Sequence, residues 1–138
     1  MIKFRMIDIS VPQFAILAEE PPKAKLICDI GLGFRYAKEQ KRIATELKFS
    51  YEDEQKRPVI ILVVNCVFEI NPADWDNSIK DGKLTLDKNI LGYFASQTVG
   101  VTRGILYERT NGTPFNSLIL PPINLTKMLN DDLVIPLD

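Results

Sequence analysis

One segment limits what this chain can fold into more than any other. Pro58–Ile70 is apolar on both of its alternating faces. Ile60, Leu62, Val64, Cys66, Phe68 and Ile70 share one side, while Val59, Ile61, Val63 and Val67 share the other with Asn65 and Glu69. A strand of this kind needs cover on both faces. Helices of the same chain supply one cover. At 138 residues the chain makes one domain, 1–138, with a real core but few elements to spare. The second cover is therefore expected from another subunit, with Ile61 and Val63 at an oligomer interface.

Other segments alternate with the same period of two. Leu26, Cys28, Ile30, Leu32, Phe34 and Tyr36 face one way along Lys25–Ala37, as do Ile43, Thr45, Leu47, Phe49 and Tyr51 along Arg42–Tyr51. Charged turns at 37–41 and 52–57 separate these strands. Ile2–Ser10 reads as a first strand with a bulge near Met6–Ile7, ended by Pro12. Asn71–Lys83 reads as a loop. Asp87 is placed as the N-cap of a long helix that Gly112 closes. Its glycines Gly100 and Gly104 mark a close contact, expected at an oligomer interface. Asn124 caps a short last helix, Leu125–Asn130, and Val134–Leu137 is a frayed or docked tail. The order predicts an α+β fold: a four-stranded antiparallel meander sheet with one long and one short helix packed on one face.

The totals lean away from catalysis. There is no histidine, so the commonest general base and the commonest metal ligand are both missing. No catalytic, metal or cofactor spacing stands out, and neither an enzyme nor a cofactor is expected. A net charge of −1 offers no basic excess for nucleic acid. The longest apolar run, Val59–Val64, is far short of a membrane span. Met1–Arg5 lacks the apolar stretch of a signal peptide, which points to the cytoplasm. Cys28 and Cys66 lie in strands among aliphatic neighbours and read as buried, reduced thiols.

What remains is apolar surface. Between Gly112 and Leu125 the breakers Pro114, Pro121 and Pro122 forbid helix, yet Phe115, Leu118, Ile119, Leu120, Ile123 and Leu125 are all large and apolar. Loops of this length are usually polar. A second patch, Phe14–Ala18, precedes Pro21-Pro22. We expect Phe14, Ile16 and Leu17 to approach Phe115, Leu118 and Leu120, with Ile123 and Met128 nearby, forming a groove for non-native polypeptide. Burial of client side chains there contributes about 25 cal/mol per Å² and asks for no particular sequence. The alternative is a loop that seals the core of a non-catalytic adaptor or oligomerisation module.

The same segment carries a family resemblance. Gly112-Thr113-Pro114-Phe115, followed by Leu118-Ile119-Leu120-Pro121-Pro122-Ile123-Asn124-Leu125, resembles the crossover loop of the SecB family of protein-export chaperones, with the Pro114-Phe115 order inverted. Leu91-Gly92-Tyr93 and Arg103 in the long helix are also similar to that family. The resemblance implies an ATP-independent holdase, a homotetramer built as a dimer of dimers, unfolded client polypeptides, and an acidic sheet face that docks the SecA motor. Here the outer faces mix Lys25, Arg35 and Lys48 with Asp29, Glu46 and Glu69. A solitary chaperone of a toxin–antitoxin pair, with an antitoxin as partner, fits that mixture at least as well.

Overall fold

The computed structural model of the chain describes residues 2–137. Four long strands form its main sheet: β1 (Phe4–Ile16), β2 (Ile27–Ala37), β3 (Arg42–Glu52) and β4 (Pro58–Ile70). All neighbouring pairs are antiparallel, in the order β1-β4-β3-β2. The expected α+β architecture is present, with one difference in topology. Only β2–β4 form a meander. β1 returns through a longer connection to lie beside β4, which gives a Greek-key order and leaves β1 and β2 as the two edges.

Both hairpin turns close as their charged sequences suggest. Lys41 and Lys56 take positive φ there, at 57° and 62°. In the second turn the Asp53 carboxylate accepts from the backbone N–H groups of Gln55 and Arg57 and from Arg57 Nε, each at 2.9 Å. The backbone N–H of Arg57 is the main reason its pKa lies below the usual carboxylate value.

β1 runs further than its sequence suggests. Its register against β4 shifts between Met6 and Asp8, at the expected bulge, and again between Ser10 and Gln13. The second irregularity brackets Pro12. Proline cannot donate to a ladder, but an edge strand with a bulge accommodates it. Phe14, Ala15 and Ile16 then resume pairing, opposite Leu62, Ile61 and Ile60.

A helix, α1 (Pro72–Asn77), follows the sheet where a loop was expected. Asn71 caps it by accepting from the N–H groups of Ala73 and Asp74. Trp75 turns inward and is buried. A second sheet then forms from β5 (Ile79–Lys80), β6 (Lys83–Leu86) and β7 (Leu133–Pro136), in that order. Asp81 and Gly82 take φ of 54° and 74° in the two-residue turn between β5 and β6. The C-terminal tail is thus docked as β7, and its Ile135 is fully buried.

The long helix, α2 (Lys88–Arg109), lies across β4 and β3 and starts at Asp87, whose side chain accepts from Ile90 N–H. Its Phe94 stacks on Phe68 at 4.6 Å, and Phe4 meets Phe94 edge-on at 4.8 Å. Thr98, Thr102 and Thr110 are buried in this layer. Each satisfies its hydroxyl by donating to the carbonyl four residues back. Gly112, at φ 78°, closes the region after the helix. A 3-10 turn follows at Pro114–Ser117, and Asn124 caps the short helix α3 (Leu125–Met128).

Candidate functional site

The sheet face under α2 carries Cys28, Ile30, Leu32 and Phe34 from β2, alternate residues from Ile43 to Tyr51 in β3 and from Ile60 to Ile70 in β4, and Phe4, Phe14 and Ile16 from β1, as the registers align them. One helix cannot cover four strands. What fills the remaining width differs on the two sides of α2.

On the β1 side an open groove of about 300 Å³ runs between strand and helix. Val11, Val101 and Ile105 supply apolar lining, and Gly100 and Gly104 keep the helix surface low. A Cβ built on either glycine would meet nothing within 4 Å. Glu108 and Arg109 close one end, where the Arg109 guanidinium sits 5.5 Å from the centre of the Phe14 ring. Phe14 and Ile16 are half-buried, and Leu17 is 54% exposed.

On the β2 side the crossover segment and α3 roof the sheet. The 3-10 turn places Phe115 in the core at 2% exposure, and Leu120 follows at 2%. Leu118 and Ile123 are half-buried against the core. Tyr51 Oη donates to the Ile119 carbonyl at 3.0 Å. Arg103 Nε and Nη2 donate to the carbonyls of Leu120 and Pro121 at 3.2 and 3.3 Å. The segment therefore passes over the end of β3 and returns beside α2. Beyond it a slot of about 230 Å³ opens among Leu32, Phe34, Leu91 and Met128, edged by Asp131 and Asp132.

These placements regroup the expected residues. Phe14, Ile16 and Leu17 belong to the open β1 side. Phe115 and Leu120 are buried side chains, so neither offers open surface in this chain. Met128 lies across α2 from Phe14, with Leu32 and Phe34. Gly100 and Gly104 line the groove, whereas Ile61 and Val63 sit on the opposite face of the sheet, so these four residues occupy two separate surfaces. Val63 is already 7% exposed and Ile61 half-buried there. Sequence reasoning missed Val11, Val101, Ile105 and Arg109 as groove residues. The spacing of Val101 and Ile105 is that of a buried helical stripe, and Val11 lies beside Pro12, where the first strand is expected to end.

Charges on that opposite face are mixed. Glu69 pairs with Arg5 at 2.9 Å and Arg42 at 3.6 Å, and Glu46 with Arg35 at 3.4 Å. The Arg5 hydrogen bond holds the Glu69 carboxyl below its ordinary pKa. Exposed pairs of this kind add little stability. The two thiols are free. Burial pushes Cys28 up to about 11, helped by the Asp29 charge, and raises Cys66 as well. Both remain thiols at neutral pH, poor nucleophiles. Among the described residues no helix is long and apolar enough to cross a membrane.

No family model matches the sequence, and no curated protein matches it. Solved structures do. A SecB-like chaperone from Mycobacterium tuberculosis, solved with a peptide of an antitoxin, is 11% identical at a TM-score of 0.53. The match covers 88% of this chain and 90% of that one. A Streptococcus agalactiae protein of unknown function is 13% identical at a TM-score of 0.39, over 90% of this chain and 97% of that one. The first likeness establishes a SecB-like fold.

Proposed function

We propose that this chain is an ATP-independent holdase that binds non-native polypeptide along the β1 side of α2. The observation that carries this reading is the open apolar groove of Val11, Val101 and Ile105 beside an unpaired strand edge. The edge of β1 offers a client backbone hydrogen bonds without regard to sequence, and the groove takes its side chains. Phe14, Ile16 and Leu17 extend the apolar lining toward the crossover segment, where Leu118 and Ile123 remain partly accessible. The antitoxin peptide bound by the Mycobacterium chaperone favours an antitoxin, or another local client, as the natural partner. The mixed charge of the open sheet face argues the same way, since an acidic face for SecA is lacking. Export remains the alternative client route, in the cytoplasm.

Assembly is part of the proposal. A homotetramer, a dimer of dimers, needs two kinds of contact, and the chain carries two distinct surfaces suited to them. One is the Gly100 and Gly104 stripe, the other the sheet face of Ile61 and Val63, where Ile61 is half-buried and Val63 is already covered by its own neighbours.

Suppression of aggregation tests the reading. With an unfolding, thermolabile test protein, the chain should suppress light scattering without nucleotide, and Val101→Asp should abolish the effect in a folded protein. A well-folded oligomer that never slows aggregation would sink it. The burial of Phe115 and Leu120 favours the second reading, an adaptor whose loop seals its own core, and that reading would then stand.

A further inference from the structure

We propose that Leu118–Asn124 is a strap over the β2 side of the sheet, and that Tyr51 and Arg103 form the clasp that holds it closed. The inference concerns loop closure and is independent of any client.

The strap is fastened in an unusual way. Its two ends are fixed locally. At one end Thr113 Oγ1 donates to the Thr110 carbonyl at 2.7 Å, and Asn116 Nδ2 to the Tyr107 carbonyl at 2.9 Å. At the other the Asn124 side chain caps α3. Between these ends the backbone has no strand or helix to join. Pro121 and Pro122 lack N–H groups. The N–H groups of Leu118 and Ile119 turn back on Phe115 and Ser117. Among the described residues, no backbone–backbone bond ties the strap to the sheet or to α2. Three successive carbonyls, of Ile119, Leu120 and Pro121, instead accept from just two side chains. The two Arg103 bonds, at 3.2 and 3.3 Å, are at the long end of the range.

The strap covers surface worth hiding. Leu120 points inward at 2% exposure while Ile119 points outward at 52%. Cys28, Ile30, Leu32 and Phe34 of β2 are only partly buried beneath and beside it. Lifting the strap joins this surface to the slot at Leu32, Phe34 and Met128, while α2 keeps the contacts of Phe94 with Phe4 and Phe68. Arg103 has no carboxylate partner among the described ion pairs. The two carbonyls are its only hydrogen-bond partners among the described residues, so its role is positional.

Two native cysteines report the motion. Cys28 pairs across the strands with Tyr51, whose hydroxyl makes the clasp, and is only partly buried. Cys66 is fully buried under α2 and reports global opening. In the full-length protein, Tyr51→Phe combined with Arg103→Met should raise the rate of Cys28 alkylation about tenfold, the scale of losing such hydrogen bonds. Cys66 should stay protected, and hydrogen exchange should quicken at Leu118 and Ile119, whose N–H groups are bonded in the closed strap. An unchanged Cys28 rate, or equal acceleration at both cysteines, overturns the clasp. Should the double variant fail to fold, Tyr51→Phe alone decides. It keeps the ring and removes only the hydroxyl. A smaller rise confined to Cys28 supports the strap, and no rise overturns it.

Discussion

α2 rests on the middle of one sheet, yet its two sides are finished by different means. Toward β1 there is only the strand itself, interrupted at Pro12, and a helix surface lowered by two glycines. Toward β2 a proline-stiffened segment brings Leu120 and Phe115 into the core and turns Ile119 outward. Both sides present aliphatic side chains to the same layer. The difference shows that composition does not decide whether an apolar side chain is core or contact surface. Cover decides it, and cover here depends on where the chain after α2 is led.

The largest expected effect tests that division directly. Leu120→Ala removes a buried side chain under the strap and should cost about 2–5 kcal/mol of stability. Ile105→Ala, on the half-buried groove wall, should cost about 1 kcal/mol. Client binding should follow the reverse order. Equilibrium urea unfolding and aggregation suppression, measured on both variants, check the pair. If Ile105→Ala is the more destabilising, the β1 groove is core in solution, and the two sides are not different in kind.

Much of this comparison was legible beforehand. Strand alternation located β2 and β3, whose residues alternate between more and less buried, and β4 showed as an apolar run that is largely buried on both faces. Asp87 and Gly112 marked the ends of the helix region through the chemistry of orphan N–H groups and of positive φ. The bulge at Met6–Ile7 could be read from a change of apolar phase. Pro12 misled, since a proline ends a central strand but not a bulged edge strand, and edge position is a tertiary fact. The small second sheet was missed for a similar reason. Asp81-Gly82 is a strong turn signal, but the strands around it are short, and β6 gains its second partner from residues some fifty positions later. Burial of the individual loop residues was beyond the sequence. Alternation says which residues of a strand point together, but an irregular segment has no period from which to separate Leu120 from Ile119.

A smaller effect lies in β3. Thr45 is fully buried between Phe34 and Cys66, and its hydroxyl finds no partner among the described residues. An unmet buried hydroxyl is destabilising, and Thr45→Val keeps the shape while removing it. The variant should gain about 1 kcal/mol, read as a higher urea midpoint at unchanged slope. It should leave client binding alone, since the residue faces the covered layer. A loss of stability would mean that the hydroxyl is satisfied in solution, by water or by the neighbouring thiol.

The smallest effect is the most telling for the open side. Glycine inside a helix is less favourable than alanine by about 0.5–1 kcal/mol, and Gly104 has no neighbour within 4 Å of where a Cβ would stand. Gly104→Ala should therefore stabilise the isolated fold by about that amount. A glycine retained at that disadvantage has a use only if another backbone or side chain approaches the bare helix. The methyl would then stand in the way of that approach. The expected outcome is thus opposed: a higher unfolding midpoint together with weaker assembly by sedimentation, or weaker client binding, or both. Loss of self-association with client binding intact assigns the stripe to subunit contact. Loss of client binding with the oligomer intact assigns it to the groove. If alanine improves stability and leaves both functions untouched, nothing approaches Gly104 closely, and the open side of α2 is bare helix rather than a contact surface.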